Sequence, residues 1–430
     1  MHNLSLSWNN FQGSLPSELG RLSTLGFFQL SVNNLSGVIP PLIYNVSSIN
    51  YFYVTQNQLH GSLPPELGLT LPNLRQFAGG ANSFTGPIPV SLSNAFQLQI
   101  FDLPQNGLTG TVAQNINSLQ GLVRFNLQEN KLGKGKDGDL NFLSFLANCT
   151  SLEVLGLRGN HFGGLLPNSI ANLSIKLKLL TMGDNMIHGG IPVGIGNLVN
   201  LNLLGLEVNY LGGPLPNALG KLQNLEELHL NVNEFSGLIP SFLGNLTTLT
   251  RLFMGENKFE GAIPPSLGNC KNLIVLNLSS SNLNGTIPKQ VIGLSSLSLY
   301  LVMSKNFLTS TLPFEVGNLK NLVHLDLLEN RLSGEIPTIL KTCLGLVRLY
   351  LEGKFSRQIP NFLSKLSSLK YLNISYNDFG AKCQLKEFFQ MQARFQYLEM
   401  ISYAVVSKNY IYLNAPAKIL VHLGGFLPSK

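Results

Sequence analysis

The sequence predicts an α/β repeat, a solenoid that contributes one short parallel strand per unit of about 24 residues. Three observations carry this. The chain has 430 residues, too many for one ordinary core of about 150 residues. Its composition, 44% hydrophobic and 12% charged, excludes disorder, which needs low hydrophobicity and high charge. Above all, the chain is self-similar: "LSLSWNNFQGSLPSELGRLSTL" and "LHLNVNEFSGLIPSFLGNLTTL" share L-x-L-x-x-N-x-F-x-G-x-(L/I)-P-x-x-L-G-x-L.

Indexed by the Asn after L-x-L, the units fall at 9, 33, 57, 82, 106, 130, 160, 185, 209, 233, 257, 281, 306, 330, 353 and 377. These are 16 units, mostly 24 or 25 residues apart, within the leucine-rich-repeat period of 20–29. Strand side chains alternate faces, so both leucines of L-x-L point inward: Leu228 and Leu230 face the core and His229 faces out. The Asn sits where the chain turns, and its amide can satisfy backbone groups the turn leaves unpaired. Stacked units then form an Asn ladder. The Gly allows an unusual backbone angle; the Pro suits an extended segment that need not donate a hydrogen bond.

The array has irregularities. Ser281 and Gly353 occupy Asn positions. "LEGKFSRQIP" is one residue short, with Arg357 where Gly is usual. The step from Asn130 to Asn160 is 30 residues, and "NKLGKGKDGDL" supplies the extra six. The repeats stop at Gly380, giving a solenoid over 1–380 and a non-repeat tail over 381–430, read as helical or disordered. Uncapped repeats expose apolar ends, and the sequence shows no cysteine-bonded cap.

The four cysteines, Cys149, Cys270, Cys343 and Cys383, form no C-x-x-C pair, so zinc and thioredoxin chemistry has no support. Cys149, Cys270 and Cys343 each precede a repeat leucine by three, which predicts small buried fillers. The net charge of +7 is scattered, with no dense basic run and no nucleic-acid module. No signal peptide and no run of about 18 apolar residues is visible.

"NKLGKGKDGDL" has the glycine spacing of a phosphate loop, but Gly138 is followed by Asp139 and Leu140, not Lys and Ser/Thr. The segment is expected to be an inserted surface loop, with a binding-face loop as the second reading. H-E-x-x-H and G-x-S-x-G are absent, and Glu226 and Glu227 have no partner set by a motif. No cofactor or metal is expected.

The better site is the outward face of the strands, since aromatic residues and Arg concentrate in interface hot spots. Outward candidates are Phe27, Gln29, Tyr51, Tyr53, Arg75, Gln76, Arg124 and Asn126, then Arg158, Glu207, His229, Arg251 and Phe253. As ligand-binding residues the sequence selects Tyr51, Tyr53, Arg75, Arg124, His229, Arg251 and Phe253. Strands about 4.8 Å apart over 15 steps span roughly 70 Å, enough for an extended peptide or a protein surface. N-x-(S/T) occurs nine times; Asn34, Asn45, Asn148, Asn172, Asn245 and Asn284 are the chosen glycosylation candidates, with Asn172 and Asn245 expected on the convex side.

The G-x-(I/L)-P element resembles the plant type of leucine-rich repeat. "NCTSLEVLGLRGNHFGGLLPNSIANLS", "IPVGIGNLVNLNLLGLEVNYLGGPLP" and "EVGNLKNLVHLDLLENRLSGEIP" resemble the extracellular domain of plant leucine-rich-repeat receptor-like Ser/Thr kinases. The similar group includes immune receptors that sense bacterial elongation factor or confer blight resistance in rice. The resemblance implies a right-handed superhelical solenoid with short concave parallel strands, a peptide or protein ligand on the inner face, and a co-receptor kinase as partner. It implies a place on the extracellular side of the plasma membrane. The kinase signatures of the family are absent, so no enzyme activity is expected of this chain. A truncated ectodomain is the leading expectation; a soluble decoy or non-functional product of the same family is the alternative.

Overall fold

A computed structural model describes residues 1–357 and 359–379. The expectations for the tail and for Cys383 lie outside the described residues. The chain divides into two compact units, one from Met1 to Asn284 and one beginning at Gly285. Both are built from the predicted repeat, and the fold is a leucine-rich-repeat solenoid.

In the first unit, each repeat lays down a three-residue strand, for example Phe27–Gln29, Tyr51–Tyr53 and Glu227–His229. Neighbouring strands pair in parallel with an offset of one repeat, Phe27 beside Tyr51 and Glu227 beside Arg251. The middle residue is buried and the outer two are half-exposed, as in Tyr51–Tyr53. Leu228 and Leu230 are both fully buried. In the first repeats the buried middle position is Phe rather than Leu. Phe28, Phe52, Phe77, Phe101 and Phe125 form a continuous column with ring centroids 4.9–6.0 Å apart. Offset and tilted rings at that spacing attract beyond their buried area.

The opposite side carries five-residue 3-10 segments such as Ser241–Asn245, entered through a Pro in extended conformation, Pro240 here at φ −73°, except at Gln114–Ser118, where Ala113 takes that place. The α component is slight: only Pro41–Tyr44, Leu67–Thr70, Leu143–Leu146 and Lys289–Ile292 are α-helical among the described residues, each four residues long. A 24-residue unit that spends its length on two strands and two turns leaves room for one tight turn, not a helix of ordinary length. Among the described residues no helix is long and apolar enough to cross a membrane.

The Asn ladder forms as expected. Asn160 Nδ2 donates to Leu127 O (2.9 Å) in the preceding repeat and to Leu157 O (3.0 Å) in its own, while its Oδ1 accepts from Leu132 N (3.0 Å). Asn33, Asn106 and Asn257 repeat the pattern. The sequence does not show what precedes each of these residues. Val32, Gln56, Val208 and Val232 all adopt left-handed φ of 52–59°. This is a costly region for a β-branched residue, and the bonds of the following Asn hold it there.

The enlarged repeat keeps its core register, since Phe125 still lies beside Leu155. The extra residues fold back onto the second strand layer. An ideal Cβ on Gly163 would meet Gly135 C at 2.3 Å, and one on Gly164 would meet Asp137 Cα at 2.8 Å. The loop backbone therefore rests where those side chains would be. Asp139 is 7% exposed, and its Oδ2 accepts from Lys134 N (2.8 Å), Lys136 N (3.2 Å) and Gly163 N (3.1 Å). The segment is an inserted loop that packs on the flank, against Gly163 and Gly164, and a buried carboxylate closes it.

In the second unit the same repeats continue, with Asn330 and Asn377 in the ladder. Strands His324–Gly334 and Arg348–Arg357 run without a break through the short repeat. Cys149, Cys270 and Cys343 are fully buried and unbonded to one another, the filler role expected. Burial pushes each thiol up to about 11.

Candidate functional site

Parallel register places the outward residues of the first unit in rows along the strand face. At its start, Phe27, Tyr51 and Tyr53 form an aromatic patch with centroids 5.7–6.3 Å apart. The Tyr53 hydroxyl donates to Gln76 Oε1. Burial raises the Tyr53 phenol above its usual pKa, and neighbouring Tyr51 adds to the shift. Beside the patch lies an open groove of about 670 Å³, lined by His2, Phe27, Asn50 and Tyr51 among others. Arg75 does not sit with the tyrosines as the sequence groups it. The strand is Gln76–Ala78, and Gln76 is the neighbour of Tyr51. The step from Phe52 to Phe77 is 25 residues, so counting 24 on from Tyr51 lands on Arg75, one residue before its true neighbour Gln76.

Further along, charge replaces aromaticity. Arg124 Nε lies 3.1 Å from the Asp102 carboxylate, which also accepts from Asn126 Nδ2 at 2.7 Å. One repeat on, Arg158 Nε lies 3.4 Å from Oε1 of Glu207, a residue two repeats further along. Then Glu227 gathers three of the predicted positions. His229 Nε2 is 3.1 Å from its Oε2, Arg251 Nη1 donates to its Oε1, and Phe253 meets the His229 ring edge-on at 4.9 Å. These three side chains are partly buried, and Glu227 orients two of them. A pre-oriented Arg–Glu–His group loses little rotamer entropy on binding.

The strand face of the second unit carries a group the sequence reading missed. The His324 ring meets Tyr300 at 5.8 Å and Tyr350 at 5.2 Å, both edge-on, and the Arg348 guanidinium lies 5.0 Å from the Tyr371 centroid. Burial holds His324 below its ordinary pKa near 6.5, helped by Arg348 and opposed by Asp326. The signal was present as Y-L-V, H-L-D, R-L-Y and Y-L-N around the buried leucines, where the outward residues flank each Leu. Among the described residues, no cluster of His, Cys, Asp or Glu is arranged to hold a metal ion.

Of the six chosen sequon asparagines, Asn45, Asn148, Asn172, Asn245 and Asn284 are exposed. Asn172 and Asn245 end 3-10 segments on the side away from the strands. Asn34 is half-buried and accepts from Gln58 Nε2.

The family described as Leucine Rich Repeat matches residues 1–22, 151–173, 224–246, 248–270 and 321–343. The LRR receptor-like serine/threonine-protein kinase EFR of Arabidopsis thaliana is 47% identical over 83 residues, 19% of this chain and 8% of that protein. The solved ectodomain of the A. thaliana membrane receptor kinase GASSHO1/SCHENGEN3, in complex with CASPARIAN STRIP INTEGRITY FACTOR 2, superposes with a TM-score of 0.79 at 33% identity. That match covers 90% of this chain and 48% of that one. The Arabidopsis receptor kinase HAESA, solved with the peptide hormone IDA and the co-receptor SERK1, gives 0.75 at 32%, covering 88% and 66%. The chain thus spans less than two thirds of these relatives. It carries plant-type leucine-rich repeats similar to the ectodomains of receptor-like kinases.

Proposed function

We propose, from the premise that this is a leucine-rich-repeat chain similar to plant receptor-kinase ectodomains, that it recognises a peptide or protein ligand on its strand face. The observation that carries the reading is the pairing of this fold with peptide-bound structures of similar chains. The strand face of the first unit supports it. It presents an aromatic patch at Phe27, Tyr51 and Tyr53 and an oriented polar group at Glu227, His229 and Arg251, residue types that anchor interfaces. The role is recognition, with a co-receptor kinase as second partner and a place on the extracellular side of the plasma membrane. Immune signalling is the finer reading. Exposed Asn45, Asn148, Asn172, Asn245 and Asn284 are the glycan acceptors in that setting.

Random-peptide display on the full chain tests this. The expected result is a set of selected peptides whose binding drops about tenfold or more when Tyr51 and Tyr53 are both changed to Ala, or when Arg251 is changed to Ala. Selected peptides that bind both variants as well as the parent would sink the assignment to this face.

A further inference from the structure

We infer that the strand face of the first unit holds a subsite for a primary ammonium group, centred on Glu207 and Thr181; this deepens the recognition reading and rests on it. Three successive strands, Val154–Gly156, Leu179–Thr181 and Leu203–Gly205, carry small or aliphatic outward residues. Register puts Gly156, Thr181 and Gly205 in one row and Val154, Leu179 and Leu203 in the next. The first row is bounded by Asn126 at one end and His229 at the other. The result is a trench with an aliphatic floor between two polar walls.

A row of small residues alone says nothing about a ligand. The second observation is the state of Glu207. This residue is 9% exposed, yet only Oε1 is near a cation, Arg158 Nε at 3.4 Å. Oε2 is buried with no hydrogen-bond partner, and so is Thr181 Oγ1. The notch is the missing side chain of Gly205, bordered by Glu207 Oε2 and by the Cγ2 methyl of Thr181. An ideal Cβ on Gly205 would lie 3.1 Å from Glu207 Oε2 and 3.6 Å from Thr181 Cγ2. The carboxylate reaches this place because Gly183 has no side chain; a Cβ there would be 2.4 Å from Oε1. A half-satisfied carboxylate and an unpaired hydroxyl out of water are a costly arrangement unless a donor completes them. An ammonium supplies three donors and a positive charge in a compact head, and an aliphatic stem behind it fits Leu179 and Leu203. The chemistry selected is therefore a lysine side chain or a free peptide N-terminus.

The test uses the full chain and n-pentylammonium, followed by methyl NMR at Leu179, Leu203 and Thr181. Saturable shifts at these methyls are expected, with none from n-pentanol, and binding about tenfold or more weaker in Glu207→Gln. Gly205→Val keeps both polar groups and fills the notch, so it is expected to abolish the shifts even if Glu207→Gln disturbs the fold. Shifts that are absent, or equal in the parent and both variants, overturn the subsite. Peptides from the display above then separate the sources. Lys→norleucine weakens a lysine-borne contact, and N-acetylation weakens a terminal one. Selected peptides insensitive to both changes overturn the subsite while leaving strand-face recognition standing; failure to select any peptide counts against recognition itself.

Discussion

Two repeats break the 24-residue rule in opposite directions, and the chain absorbs the two errors differently. The repeat from Asn130 to Asn160 has six residues too many, and the one from Asn330 to Gly353 has one too few. The surplus leaves the core untouched: Phe125 and Leu155 stay in register, Asn130 and Asn160 keep their full ladder bonds, and the loop is parked on two glycines and sealed by Asp139. The deficit has nowhere to go but the turn. A regular repeat pairs its first strand at an offset of 24 and its second at 22, as in Phe27 with Tyr51 and Ser36 with Gln58. At the short repeat the offsets are 24, His324 with Arg348, and 21, Leu332 with Gly353. The lost residue comes out of the left-handed turn, and Glu352 is not among the residues with positive φ. Insertions are cheap because they add surface, whereas a deletion must rebuild backbone geometry that the core depends on.

The strongest way to break this contrast is to unseal the insertion. Asp139→Ala removes the acceptor of three backbone N–H groups, one of them in the buried Gly163. It is expected to cost about 3 kcal/mol, measured by urea unfolding, with hydrogen exchange rising first in the loop. If stability is unchanged, the loop is an ornament and the contrast fails. Next comes the deficit. At Gly353 an ideal Cβ would lie 2.4 Å from Leu332 O. Gly353→Ala is expected to destabilise by about 2 kcal/mol, and restoring the ladder with Asn at this position should not rescue it, because the turn that Asn serves is missing. A stable Asn variant would show that the backbone can still make the turn.

A pH experiment sharpens the same region. His324 pairs in register with Arg348 of the short repeat, and its folded pKa lies below the ordinary value near 6.5. The unfolded chain therefore binds the proton first. The neutral ring's contribution is whole above about pH 6.5 and is lost as pH falls through the folded pKa. In His324→Gln that part of the slope should vanish from thermal melts taken between pH 7 and 5; an unchanged slope would place the titrating group elsewhere. The smallest effect belongs to the outer rim of the insertion. His188 Nε2 is 3.3 Å from Asp137 Oδ1, with Asp137 82% exposed at its side chain. Asp137→Asn should change stability by under about 0.5 kcal/mol, and a larger loss would mean that the rim, not Asp139, holds the loop.

The sequence carried the repeat, the buried leucines, the cysteine fillers and the Asn ladder, because each is a periodic demand made on one residue type. It also named Arg124, His229, Arg251 and Phe253 as outward residues. It did not show that Glu227 would organise two of them, since that geometry depends on side-chain reach between strands. Arg75 was misplaced by a one-residue change in spacing. The seat at Gly163 and Gly164 was invisible for a different reason. In the text it is one more glycine pair, and its purpose depends on a loop some 28 residues earlier, Gly135 against Gly163. Tyr300, His324, Arg348, Tyr350 and Tyr371 followed the same alternation as the residues that were found, and reading the outward positions past Phe253 would have reached them.

The ladder also gives the molecule a direction. Each Asn spends part of its amide on the repeat before it: Asn160 holds Leu127 O and Leu132 N, and Asn257 holds Leu230 O and Phe235 N. No Asn reaches forward in this way in the bonds described above. A repeat removed from the far end strips its predecessor of a donor and an acceptor that it cannot replace. One removed from the near end costs the following Asn that carbonyl and N–H, but its Nδ2 keeps a carbonyl of its own repeat, as Asn160 keeps Leu157 O. Shortening this protein from its two ends is therefore not the same operation, and an engineer trimming the array has more freedom at the front than at the back.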